Sequence, residues 1–256
     1  MERSEFTMLN PNADLCTTRN HKKRLFLFAG YDVKKIIDDS TVIYVRELSK
    51  IGDVVFFMDN EVSQSELEKV LQYTLFATGL RHEEYDFGSY KRGYIWARDN
   101  NILNHYEWVY LINDSVYGPF FSLQPYLESL ELPDIDAVTM NYNPHKFKDK
   151  KPHLQSWFIG ISNRVAISEW FEVFITNIVK QNKKEDIIDL YERGFTQFLR
   201  LYNLRFKAYS VTRDVRNNIK SRFKKGFPFI KKSLFSGKKN ILAGNCITYY
   251  TRFLLK

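Results

Sequence analysis

The 256-residue chain predicts an α/β fold with a mostly parallel sheet flanked by helices. Three observations lead there. Five apolar runs of strand length lack regular polar alternation, the pattern of strands buried on both faces. Segments with a 3.6-residue apolar period lie between some of them. A hydrophobic content of 44% supplies enough core for one large domain, or one domain with an appendage.

The elements follow in order. Residues 1–22 are mostly polar and read as a leader, with a turn at Asn10-Pro11-Asn12. The first run, residues 25–29, is closed by Gly30; the second covers 53–58 and the third 108–112. The fourth, 135–140, carries polar interruptions, and the fifth covers 156–161. Leu67, Val70, Leu71, Thr74, Leu75 and Thr78 keep a helical period, with Ser63 and Glu66 spaced as a capping box. Ile167, Trp170, Phe171, Phe174, Ile175 and Ile178 repeat it, and Ile187, Ile188, Leu190 and Tyr191 begin a helix that Gly194 would end or bend. The expected division is a leader (1–22), the α/β domain (23–212) and a basic amphipathic segment (213–256).

The net charge of +8 is uneven: residues 213–239 hold ten Lys or Arg against one acid, Asp214, and the remainder is near neutral. Such a segment suits anionic partners. Its cations alternate with Ile219, Phe223, Phe227, Phe229 and Ile230, which fits an anionic lipid surface as well as a solvated face. Gly226 and Pro228 divide it into two short pieces. No RRM, KH or helix-turn-helix pattern supports nucleic acid. Cys16 and Cys246 are too far apart for a metal-spaced motif, no signal-peptide pattern opens the chain, and no apolar run approaches the ~18–20 residues of a membrane span. The expectation is a soluble protein of a reducing compartment.

Four segments have residue types suited to chemistry. Asn113-Asp114-Ser115 directly follows the third run, and ligands of open α/β sheets bind outside the carboxyl ends of strands. A carboxylate there can hold a divalent cation against a diphosphate, or cap the next helix. The segment from Tyr85 to Gly93 packs Asp86, Gly88, Lys91 and Arg92 together, suiting either a phosphate-binding loop or an ordinary helix start with Asp86 or Ser89 as its N-cap. The P-loop spacing is absent. His153 and Gln155 precede the fifth run; a lone histidine there is a ligand or proton donor, or structural. Glu185 and Asp186 suit a general base or a helix N-terminus equally.

Three of these segments, in order, resemble the rhamnan synthesis protein F family of bacterial polysaccharide glycosyltransferases. They are Glu84-Tyr85-Asp86-Phe87-Gly88-Ser89-Tyr90, Leu111-Ile112-Asn113-Asp114-Ser115-Val116-Tyr117-Gly118-Pro119 and His153-Leu154-Gln155-Ser156-Trp157-Phe158. Lys184-Glu185-Asp186-Ile187-Ile188 and Phe227-Pro228-Phe229-Ile230-Lys231 are similar to its later blocks, so the likeness covers about residues 24–234.

The resemblance implies a GT-A-like, Rossmann-related fold. It also implies inverting transfer of rhamnose or galactofuranose, from dTDP-rhamnose or UDP-galactofuranose, to a lipid-linked cell-surface glycan. Gly30 and Tyr31 would flank the nucleoside; Asp86, Gly88, Lys91, Asn113 and Ser115 would line the donor pocket. Asp114 would hold the diphosphate through Mg²⁺ or Mn²⁺, although Asn113 stands where a DXD pattern has its first acid. His153 and Gln155 would face the reacting centre, with Glu185 or Asp186 as base. Lys231 and its segment would hold the enzyme at the inner, cytoplasmic membrane face. The competing expectations are a binding protein of this fold without catalysis, and a nucleic-acid module built on the basic segment.

Overall fold

The structure, a computed structural model, describes residues 23–144 and 151–235. The expected leader, Cys16 and Cys246, and the end of the basic segment, including Lys238 and Lys239, lie outside the described residues.

The chain alternates as expected through its first half: β1 (Arg24–Gly30), α1 (Asp39–Ser49), β2 (Asp53–Met58), α2 (Gln64–Leu71), β3 (Phe76–Gly79), α3 (Tyr85–Asp99) and β4 (Trp108–Asn113). A short β5 (Val116–Tyr117), α4 (Gln124–Leu130), β6 (Ala137–Asn143), β7 (His153–Leu154) and β8 (Phe158–Ser162) follow. Then come α5 (Asn163–Ala166), α6 (Glu169–Thr176), α7 (Lys184–Ile187), a π-turn (Ile188–Arg193) and α8 (Gly194–Leu201). β9 (Phe206–Val211), α9 (Ile219–Lys224) and β10 (Ile230–Lys231) close the described chain.

The sheet runs β3-β2-β1-β4-β8-β6-β7, with β9 also paired to β6. β3, β2, β1 and β4 are parallel, and β6 with β9 runs the same way, while β8 and β7 are reversed. The α/β class and the mostly parallel sheet are as the sequence predicts. The fifth apolar run is the exception in direction: Ile159 and Ile161 face one core layer and Phe158 the other, so both faces are buried, yet the strand is antiparallel to its neighbours β4 and β6. An unbroken apolar run reports two covered faces and carries no information on strand direction.

Alternation along β1 divides the core. Leu25, Leu27 and Ala29 join the layer holding Tyr90 and Tyr94 of α3, Phe171 of α6 and Phe195 of α8. Phe26 and Phe28 face the opposite layer with Tyr44 and Val45 of α1 and Leu127 of α4. Phe227 and Phe229 of the basic segment belong to that second layer, so residues around them pack on the domain.

Several local expectations change. The helical period assigned to 67–78 stops at Leu71, and 76–79 form the edge strand β3. Ser63 caps α2 by accepting the Glu66 N–H at 3.4 Å, but Glu66 turns its carboxylate to the Ile37 N–H instead of closing the capping box. The period from Ile167 to Ile178 is interrupted at Ser168, whose hydroxyl caps α6. Neither Asp86 nor Ser89 caps α3; both lie inside it. Gly194 has helical angles, φ −54° and ψ −50°, so the helix passes through it. The buried apolar residues of this long helix, Ile187, Tyr191, Phe195 and Leu199, are spaced by four. A spacing of four drifts around a 3.6-residue helix, and the wider π-turn offsets part of that drift.

Candidate functional site

A cleft of about 860 Å³ opens where parallel strands end, the usual ligand position in an open α/β sheet. Gly30 ends β1 and Tyr31 follows it, Asp59 follows β2, and Asn113 ends β4 with Asp114 and Ser115 after it, all on its lining. Gln155, Ser156 and Trp157 line it from the turn before β8, Glu192 from the π-turn, and Lys231 and Lys232 from β10 and the turn after it.

The β4 end is tightly bonded. The Asp114 N–H donates to the Ala29 carbonyl at 3.2 Å, and Asp114 Oδ2 accepts the Tyr31 N–H at 3.1 Å, so this side chain stitches the ends of β4 and β1 together. Burial pushes the Asp114 carboxyl up to about 7; nearby Asp86 and Asp38 push the same way, while Lys232 and the Tyr31 N–H oppose them. A carboxyl so displaced in a cleft is a candidate functional group on electrostatic grounds. Buried Asn113 donates through Nδ2 to Asp86 Oδ2 at 2.6 Å, and its Oδ1 accepts the Ser115 N–H at 3.1 Å and hydroxyl at 2.5 Å. Asn113 thus holds Asp86 to the strand end with a neutral amide.

Opposite lies the basic segment. β10 pairs antiparallel with β5, placing Lys231 opposite Val116. Lys231 Nζ donates to Ser115 Oγ at 2.8 Å and lies 4.8 Å from the centre of the Trp157 ring. Lys232 Nζ pairs with Asp38 at 2.9 Å. These lysines, expected at a membrane surface, are on the cleft wall. Tyr31 also lines the cleft, with the Arg81 guanidinium 5.7 Å from its ring centre.

Seven of the sequence-predicted site residues therefore share one cleft: Gly30, Tyr31, Asp86, Asn113, Asp114, Ser115 and Gln155, joined there by Lys231, which was expected at the membrane. Five do not line it. Lys91 donates to Glu84 at 2.7 Å and to the Ile178 carbonyl at 2.6 Å, fastening α3 to the end of the α6 region. Gly88 is a packing glycine: a Cβ there would lie 2.3 Å from Glu84 Cβ and 2.6 Å from His82 Nδ1. His153 is buried behind the wall, with Nδ1 3.0 Å from the Lys151 carbonyl oxygen and Nε2 3.8 Å from Glu192. Its burial favours the neutral imidazole. Glu185 and Asp186 sit on α7 outside the lining, Glu185 exposed.

Glu192 is the acid that motif reading missed. Its Oε1 accepts the Ser156 N–H at 2.9 Å, which holds the carboxylate on the wall beside Gln155. Asp59 was missed too, although it directly follows an apolar run just as Asp114 does. It accepts the His82 and Glu83 N–H groups at 2.8 and 3.0 Å and organises the turn after β3. Asp114 is the single carboxylate on the β4 end, and among the described residues no three His, Cys, Asp or Glu group as a metal centre.

A family model described as rhamnan synthesis protein F matches residues 54–249. An uncharacterized protein, y4gN, of Sinorhizobium fredii (strain NBRC 101917 / NGR234) is 24% identical over 168 residues, covering 66% of this chain and 43% of that protein. This chain therefore matches less than half the length of that relative. Among solved structures, a glycosyltransferase involved in the glycosylation of the major capsid of PBCV-1 aligns with a TM-score of 0.40 and 13% identity, over 81% of this chain and 92% of that one.

Proposed function

The chain belongs to the rhamnan synthesis protein F family, and we propose that it is a GT-A-like, inverting glycosyltransferase that moves rhamnose or galactofuranose from dTDP-rhamnose or UDP-galactofuranose to a lipid-linked polysaccharide acceptor. Family membership points to a glycosyltransferase in polysaccharide synthesis. The observation that carries the finer reading is the convergence of Asp114, Asp86, Glu192 and Lys231 on one cleft at the carboxyl edge of the parallel strands. Tyr31, 47% exposed on the cleft lining, offers a face for the nucleoside base.

In this reading the acceptor hydroxyl oxygen attacks the anomeric carbon while the bond from that carbon to the diphosphate oxygen breaks. The diphosphate leaves with the bonding pair, and the hydroxyl proton passes to Glu192. Glu185 and Asp186, the acids expected in this role, stand outside the cleft lining, whereas Glu192 is on it. His153, buried behind the wall with Nε2 3.8 Å from Glu192, does not touch the sugar, and the Ser156 N–H is what holds the Glu192 carboxylate. The test is turnover of the two donors with a lipid-linked acceptor. Glu192→Gln is expected to lower kcat by roughly 10²–10⁴-fold with donor affinity little changed. Normal turnover by that variant would remove Glu192 as the base, and donor binding without any turnover by the unaltered protein would favour the non-catalytic reading.

The membrane contact moves to α9 and its end, where Lys220, Lys224 and Lys225 are exposed. Each contributes about 1 kcal/mol at an anionic surface. Cosedimentation with phosphatidylglycerol vesicles is expected to weaken as salt rises, and equal sedimentation with neutral vesicles would rule this contact out. Among the described residues no helix is long and apolar enough to cross a membrane.

A further inference from the structure

Resting on the nucleotide-sugar reading, we propose that Lys231 and Lys232 bind the donor diphosphate directly and take the place of a divalent cation in this cleft. The β4 end provides poor ligands for Mg²⁺ or Mn²⁺. Where a second carboxylate would help to hold such an ion, Asn113 supplies an amide whose oxygen already accepts two hydrogen bonds from Ser115 and whose nitrogen donates to Asp86. Of the two carboxylates at this point, Asp86 accepts the Asn113 amide through Oδ2 and Asp114 accepts the Tyr31 N–H through Oδ2, so one oxygen of each is already engaged within the protein. Positive charge reaches the strand end by another route. The Lys231 ammonium donates to Ser115 Oγ at 2.8 Å, one residue from Asp114, and Lys232 is close enough to act electrostatically on Asp114. A divalent ion at this point would meet that charge as repulsion.

The placement of the two ammonium groups is fixed by backbone as well as side chains. The Lys232 N–H donates to the Ser115 carbonyl at 3.0 Å, closing the β5–β10 ladder onto the residue after Asp114. Phe227 and Phe229, buried just before the lysines, anchor the strand in the core. Phe229 packs against Tyr44, Trp157 and Phe158, with ring centres 5.3, 5.4 and 5.7 Å away. The Trp157 face under Lys231 Nζ adds a cation–π contact that limits where the ammonium can swing. A diphosphate entering the cleft would find two cations already positioned, Lys231 by Ser115 and Lys232 by its ion pair with Asp38, with little ordering left for binding to oppose. Ammonium groups are compact donors that meet phosphate oxygens without needing octahedral geometry.

Calorimetric titration of the full chain with UDP and dTDP, in EDTA and again in Mn²⁺, tests this. Affinity is expected to be the same within about twofold in the two buffers. Lys231→Met is expected to weaken binding about tenfold, the loss of one charge-assisted contact, and Lys231→Arg to retain most of it. Thermal unfolding of each variant shows whether it is folded. Ser115→Ala, which keeps both charges but frees the Lys231 head, is expected to give a smaller loss. Binding that vanishes in EDTA and returns with Mn²⁺ overturns the lysine clamp and leaves the glycosyltransferase reading standing. So does unchanged affinity in a folded Lys231→Met protein. Failure of both nucleotides to bind under either condition overturns the nucleotide-sugar reading together with the clamp.

Discussion

Asp114 has a pH signature that its fixed position makes measurable. Its carboxyl is raised from 3.8 to about 7, first by burial and then by Asp86 and Asp38. A raised folded-state value means that the folded protein keeps a proton which the unfolded chain has released. The associated stability is complete below about pH 4 and is lost as pH rises through about 7. Asp114→Asn removes that titration while leaving an oxygen able to accept the Tyr31 N–H. The substitution is therefore expected to raise stability, relative to the parent, more at about pH 8 than at about pH 5. The difference is on the order of 1–2 kcal/mol after allowance for the part of the side chain facing solvent. Urea denaturation at the two pH values measures it, and equal differences at both would contradict the raised pKa. The same variant is expected to lose transfer activity. Loss of activity in a protein more stable than its parent separates a functional acid from a folding one.

At the scale of elements, the β5–β10 pair decides whether the lysines reach the cleft. Gly118 follows β5 with φ +131°, a conformation that side chains disfavour, and a Cβ there would lie 2.5 Å from the Pro228 carbonyl oxygen. That carbonyl accepts the Phe120 N–H at 2.9 Å, so Gly118 lets the two segments approach each other. Gly118→Ala is expected to destabilise the protein by roughly 1–3 kcal/mol and to lower UDP affinity with it. Denaturant melts and titration read the two effects, and a variant of parental stability would show that the approach is not tight. The π-turn is a second positioning element. Wide turns inside helices often occur at functional sites, and this one carries Glu192 to the cleft while Tyr191, its neighbour, stays in the core.

Across the whole molecule, one buried ion pair ties the helical layer to the sheet. Arg24, the first residue of β1, donates through Nε and Nη2 to the two oxygens of Glu131 at 2.6 and 2.7 Å, and the Tyr110 hydroxyl of β4 donates to Glu131 at 2.6 Å. Arg24 and Glu131 side chains are 3% and 0% exposed, so removing one charge leaves the other without solvent. Glu131→Gln is expected to cost about 3–5 kcal/mol, measured by urea denaturation, and a loss below about 1 kcal/mol would show that the pair is hydrated in solution. By itself the sequence determined the α/β class, the parallel first half and the strand-end address of Asp114, because burial on both faces and the helical period leave direct marks in local residue order. It also held Asp59 under the same strand-end rule. Other features had no local signal: the reversed β8, the edge strand at 76–79, and the outward placement of Glu185. Only the tertiary structure decided that Glu192 faces the cleft and that Lys231, 116 residues from Ser115 in the chain, donates to its hydroxyl. Those contacts join segments whose local patterns are indifferent to one another, and the closing of the sheet and the seating of Phe229 in its core bring them together.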